Sequence, residues 1–168
     1  MNKIENANAQ NALFIICPFC QLEKYLRNKY GEELYFLTST AAVFNFNDDE
    51  VSAIKDFLIR ENVKDIYLVN DVSCNFIEEA ITNKKEFGLH CEKELRMLVQ
   101  NSISLIESQG SLEAKKEFLA ENNVLKQLEY LKTEKIFKQE IEDLGIKIHG
   151  IITDKHRSNN SIIQTKQQ

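Results

Sequence analysis

Residues Leu13–Gln21 read LFIICPFCQ, an apolar run that ends in two cysteines flanking a Pro-Phe pair. From Ala12 to Cys17 the apolarity is continuous, the pattern of a strand buried on both faces of a parallel sheet. Gln21–Tyr30 then places Leu22, Tyr25, Leu26 and Tyr30 at helical spacing and stops at Gly31, a C-terminal cap. A strand that delivers cysteines to the start of a helix admits three chemistries. It is a redox dithiol, half of a metal site, or a thiol buried as a small hydrophobe. The rest of the chain decides among them.

Working outward, Glu33–Leu37 is a second strand, followed by a loop rich in Thr, Ser and Ala. Asn47–Asn62 opens on Asn and Asp and carries Val51, Ile54, Phe57 and Leu58 on one face, a well-signalled helix. Val63–Asn70 is a third strand, and a helix follows it over Cys74–Lys85. Two long helical patterns cover His90–Ser108 and Ser111–Thr133, a shorter one covers Glu134–Gly145, and Ile146–Thr153 is a last strand. Strands alternating with helices at this spacing predict an α/β fold, a central and mostly parallel sheet flanked by helices. One domain is expected over residues 12–155, after a loose polar arm (1–11) and before a polar tail (156–168).

The bulk numbers narrow the function classes. The chain has 168 residues and a net charge of −5, with pI near 5.3. Nucleic acid and anionic membrane surfaces call for clustered Lys and Arg, so neither is an expected partner. No apolar run approaches the ~20 residues that span a bilayer. The first twelve residues contain no apolar signal core, so a cytoplasmic location is expected. Four cysteines in such a setting read as thiols or metal ligands rather than a disulfide framework.

A dithiol at the N-terminus of a helix is chemically sensible, because the helix dipole favours thiolate. Glutaredoxin-like proteins keep theirs in this position. That fold, however, sets a proline opposite the dithiol, and Pro18 is the chain's single proline. It also ends in a hairpin and a helix, whereas this chain ends on a single predicted strand. The CPFC redox protein stays as the alternative from another class.

The metal reading gains from Cys74, in VKDIYLVNDVSCNFIEEAI (Val63–Ile81). This stretch resembles the β-carbonic anhydrases, whose third strand runs into a Gly-His-x-x-Cys turn at the start of a helix. A first cysteine, within Cys-x-Asp-Ser-Arg at the end of strand one, stands where LFIICPFCQ stands here. GEELYFLTSTAA (Gly31–Ala42) is similar to the family's second strand and its Arg-Asn-x-Ala-Asn loop. EVSAIKDFLIRENVKDIYLV (Glu50–Val69) is similar to the helix and strand that follow. The most specific match is Glu121–Asp154, which resembles the family's Asn-Val-x-x-Gln-Val-x-x-Leu-Lys segment and closing His-Gly strand.

The resemblance implies the β-carbonic anhydrase fold and a zinc held by Cys17, Cys74 and the residue three before Cys74. That residue is Asp71 where the family has His, and Asn70 replaces the Gly before it. Phe19, Cys20 and Gln21 replace the Asp, Ser and Arg of the first motif, and Thr38 and Ser39 replace the Arg and Asn of the loop. Catalytic zinc takes three protein ligands and one open position for water. Cys17, Asp71 and Cys74 would supply three, with Asp71 the candidate catalytic position and Cys20 a substitute ligand. Two thiolates and a carboxylate over-neutralise Zn²⁺ and weaken it as a Lewis acid. The missing Asp–Arg pair removes what orients the water in the family.

The expected function is therefore a carbonic anhydrase-like protein with lost or strongly reduced CO2 hydration, serving as a module for binding or regulation. The alternative is a zinc-dependent carbonate dehydratase with an altered ligand set. The site either holds zinc or is an empty, degenerate pocket. A Cys17/Cys20/Cys74 set would close it with thiolates and make it structural. The family implies a homodimer, and no small-molecule ligand is indicated. His90 and Cys91 read as surface or packing, His149 as structural, and His156 as solvated.

Overall fold

In the computed structural model, which describes residues 11–84, 86–133, 137–157 and 159–163, the apolar run forms β1 (Ala12–Ile16), buried at all five positions. It is followed by α1 (Glu23–Tyr30), β2 (Leu34–Thr38), α2 (Asp48–Arg60), β3 (Asp65–Asp71) and α3 (Asn75–Thr82). The second half holds α4 (His90–Asn101), α5 (Ile103–Ser108), α6 (Leu112–Thr133), α7 (Lys138–Leu144), β4 (Lys147–Asp154) and β5 (Asn159–Ile163). Strand order is β2-β1-β3-β4-β5. The first four strands run parallel, and β5 is antiparallel to β4.

Local signals explain most element ends. Asn47 caps α2 by accepting from the Glu50 N–H, while the Glu50 carboxylate accepts from the Asn47 N–H, each at 2.9 Å. Gly31 and Gly145 close α1 and α7 with positive φ. Along α6, Leu119, Ala120, Val124, Leu128 and Leu131 are buried, and this helix packs on β3 and β4. Helices thus cover a sheet whose buried strand positions are mostly apolar, with Asn70, Asp71 and Thr153 as buried polar exceptions at the strand ends.

Two expectations change, and a third falls partly outside the described residues. The helix expected over His90–Ser108 breaks at Ser102 (φ −123°, ψ 22°), where Asn101 and Ser102 put two side chains that compete for backbone hydrogen bonds. Within the expected polar tail, Asn159–Ile163 adds β5 to the sheet. An edge strand with Asn, Asn and Ser in three of five places carries no apolar alternation to announce it. Of the helix expected over Glu134–Gly145, residues 134–136 lie outside the described residues. So do residues 1–10 of the arm and 164–168 of the tail.

An aromatic stack lies across the sheet: Phe14 on Tyr67 at 4.7 Å, and Tyr67 on His149 at 4.6 Å between ring centroids. Tyr30 packs against both Phe14 and Tyr67, and its buried hydroxyl has no hydrogen-bond partner. Burial pushes the phenols of Tyr30 and Tyr67 up to about 12. A raised acid favours folding below its unfolded pKa of ~10 and loses that contribution as pH rises towards 12. Tyr30→Phe removes an orphaned hydroxyl, and we expect it to stabilise the fold by about 1 kcal/mol in urea unfolding at pH 7.5. The loss of stability between about pH 10 and 12 should be shallower in this variant than in the wild type.

Candidate metal centre

β1 has β2 on one side and β3 on the other, so the chain leaves β1 in one direction and returns in the other. In open α/β sheets the crevice at the carboxyl ends of such strands is where ligands bind. Cys17 directly follows β1. Pro18–Cys20 form one 3-10 turn closed by the Cys20 N–H on the Cys17 carbonyl at 3.1 Å, which folds Cys20 back beside Cys17. Pro18 suits the first position of that turn, where an N–H has no partner to find. Cys74 is the N-cap of α3 at the end of the neighbouring strand.

Among the described residues, Cys17, Cys20 and Cys74 bring their three sulfurs within 4.8 Å of one another. All three are 2–3% exposed. Cys17 is driven down to about 3, first by the Cys20 thiol and then by the Cys74 thiol, against the effect of burial. The backbone N–H groups of Ala41 and Phe19 add to this. The proton sharing that makes Cys17 acidic raises its partners. Cys20 is pushed far up and Cys74 up to about 12, each chiefly by Cys17.

Ala41 reaches Cys17 through a loop under strain. After β2 the chain turns over the end of β1, with the Ser39 N–H on the Ile16 carbonyl at 2.9 Å. Ala41 and Ala42 then both take φ of 55°, a region unfavourable for residues other than glycine. The buried amides of Asn70 and Asn123 hold it there, donating to the Ala41 carbonyl at 3.1 and 3.0 Å.

Asp71 is buried but stands outside the sulfur group. The β3–β4 register sets it opposite Thr153. Its Oδ2 accepts from the Thr153 hydroxyl at 2.6 Å and the Lys155 N–H at 3.2 Å. Its Oδ1 accepts from the Ser73 N–H at 2.9 Å and from the Ser73 hydroxyl. The Asp71 carbonyl takes the Cys74 N–H at 2.9 Å. Asp71 therefore ties the turn that aims Cys74, and its carboxylate is already engaged on both sides.

The donor set fits a thiophilic metal. A metal–sulfur bond of ~2.3 Å puts sulfurs about 3.8 Å apart in tetrahedral geometry and about 4.0 Å apart in trigonal geometry. Three thiols already within 4.8 Å need little movement to meet either.

The remaining expected positions lie elsewhere. Phe19 is 65% exposed and meets Phe76 edge-on, and Gln21 is exposed with φ of 51°. His90 is exposed at the start of α4, whereas Cys91 is buried in the core, where burial first and Glu92 second push it up to about 12. His149 bonds Asp65 at 2.7 Å, four residues before Thr153 and so about 13 Å from the strand end. His156 is exposed. Sequence reasoning missed Ser73, Thr153, Lys155 and Asn123. Ser73 reaches Asp71 through the local turn, whereas only the pairing of β3 with β4 and the packing of α6 bring Thr153, Lys155 and Asn123 to the site.

The Carbonic anhydrase family model matches residues 20–159. The fold is similar to the β-carbonic anhydrase CafA of Aspergillus fumigatus, with TM-score 0.76 and 21% identity over 92% of this chain and 76% of that one. It is also similar to tetrameric β-carbonic anhydrases of Sordaria macrospora, with TM-score 0.77 and 16% identity over 94% and 82%. The Coccomyxa β-carbonic anhydrase in complex with acetazolamide gives TM-score 0.71 and 14% identity over 92% and 72%. No curated protein sequence matches. This chain belongs to the β-carbonic anhydrase family, and its architecture is that family's fold.

Proposed function

We propose that this protein is a carbonic anhydrase homologue that holds a metal ion between Cys17, Cys20 and Cys74 and has strongly reduced CO2 hydration, acting as a module for binding or regulation. The observation that carries this reading is the state of Asp71. It occupies the position of the family's histidine ligand, yet both its carboxylate oxygens are engaged by Ser73, Thr153 and Lys155. Cys20, in the place of the family's serine, supplies the third donor instead. When bound, the metal supplies Lewis-acid activation. Positions 19 and 21, where the family's carboxylate and guanidinium stand, hold Phe and Gln, so that pair is not there to orient water or take a proton.

The test is elemental analysis of protein purified under reducing conditions without added metal, paired with stopped-flow CO2 hydration. We expect about one metal ion per chain and hydration near background. Hydration at rates ordinary for the family would overturn the reading and favour the dehydratase with an altered ligand set.

The same reading extends to assembly and location. The likeness to tetrameric relatives supports association of this chain, as a homodimer or a larger assembly, checked by light scattering. Four free, buried thiols suit a reducing compartment such as the cytoplasm. No helix among the described residues is long and apolar enough to cross a membrane.

A further inference from the structure

The metal centre proposed above is sulfur on every side that the chain supplies. Among the described residues no His, Asp or Glu joins the three thiols. The carboxylate of Asp71, in the turn that leads to Cys74, is taken by four hydrogen bonds. Softness then selects the ion. Hard cations such as Mg²⁺ and Ca²⁺ require oxygen donors, whereas thiolates select soft ones. Zinc would complete its tetrahedron here with a water as fourth ligand. A larger, softer divalent ion gains more than zinc does from each thiolate, and this site offers thiolates alone.

Charge sets a second requirement. Three thiolates on a divalent ion leave one negative charge in a buried site, which is costly without compensation. Backbone N–H groups face two of the thiols, and an ammonium sits on the backbone of the third cysteine. Cys17 has the N–H groups of Ala41 and Phe19, and Cys74 has that of Phe76. Cys20 has the Lys155 ammonium, whose Nζ donates to its carbonyl at 2.7 Å. Lys155 also donates its backbone N–H to Asp71. The ammonium is thereby pinned beside the cluster from β4.

We infer that Cys17, Cys20 and Cys74 form a three-sulfur site for a soft divalent cation of the Cd²⁺ class, held in preference to zinc, with Lys155 as its counter-charge. The inference rests on the three-thiol reading of the preceding section. The test uses the reduced, metal-free full chain, titrated with Zn²⁺ and then Cd²⁺. Sulfur-to-cadmium absorption in the ultraviolet and X-ray absorption of the unmutated protein are the readouts.

Equimolar Cd²⁺ should displace zinc, and the X-ray data should count three sulfurs with no oxygen or nitrogen ligand. Cys20→Ser should lower the ultraviolet band by about a third and erase most of the preference over zinc. Lys155→Ala should weaken Cd²⁺ binding about tenfold, with Lys155→Arg restoring it. Zinc retained against equimolar Cd²⁺, or two sulfurs plus a light ligand in the unmutated protein, would overturn the inference. An unchanged affinity in Lys155→Ala would remove Lys155 from it. Family-level hydration by a three-sulfur, cadmium-preferring protein would instead sink the functional reading and leave this one standing.

Discussion

Zinc-loaded protein should hydrate CO2 on the order of 10⁴-fold more slowly than a family member with its full site, in stopped-flow assays at pH 7. Two losses set this figure. The carboxylate that would receive and orient the reacting water is replaced by Phe19, and the guanidinium that would hold that carboxylate is replaced by Gln21. Each positioning or proton-transfer group is typically worth about 10² in rate. The donor set adds a third deficit. Three thiolates give one more negative charge than two thiolates and a neutral imidazole, so the metal is a weaker Lewis acid. Any surviving rate should therefore rise with pH.

Restoring the lost residues one at a time should help little, and the structure says why. Phe19 turns outward against Phe76, and Gln21 lies on the exposed side of the turn in a left-handed conformation. Phe19→Asp with Gln21→Arg should leave the rate near background, because the 3-10 turn that brings Cys20 inward carries position 19 outward. Adding Asp71→His and Cys20→Ser removes that third sulfur and supplies the imidazole, and only this fourfold variant should show a measurable recovery. If the double variant alone restores a rate ordinary for the family, the placement of positions 19 and 21 does not govern the chemistry.

The fold was legible because its signals are local or nearly so. Ala12–Cys17 announces a doubly buried strand, Asn47 and Glu50 a cap, Gly31 and Gly145 two helix ends. Cys17 and Cys74 were legible as a pair through motif spacing alone. The role of Asp71 was not. Its spacing to Cys74 equals that of the family's histidine, so sequence reasoning offers it as a ligand. In the reading proposed here, what withholds it from that role is a hydroxyl on β4 and an N–H just after that strand, 82 and 84 residues away. Lys155 escaped for the same reason, its contact with Cys20 spanning 135 residues. Spacing along one segment can name donors, but it cannot say which of them another strand has already engaged. β5 went unread because three of its five residues are polar and none of its signal is periodic.

Asp71 is consequently where a single substitution should disturb both stability and the metal site. Its carboxylate joins the turn before α3 to the end of β4 through four hydrogen bonds, at 1% exposure. Asp71→Asn preserves shape but turns an amide N–H towards the Lys155 N–H, leaving one buried donor unpartnered. Hydrogen bonds to a charged acceptor contribute about 1.5–3 kcal/mol each, and an orphaned donor costs about 1–3, so a loss of about 2–4 kcal/mol is expected in urea unfolding. Thr153→Val removes one of the donors with nearly the same shape and should cost about 1–2 kcal/mol. Because the two groups touch, the double variant should lose less than the sum, with a coupling of at least about 0.5 kcal/mol. Metal affinity should fall in Asp71→Asn even where the chain remains folded, since the carboxylate holds the Ser73 N–H and hydroxyl of the turn that leads to Cys74. A variant within about 0.5 kcal/mol of wild type, with metal affinity unchanged, would show that Cys74 is aimed by the sheet alone and that Asp71 is not its anchor.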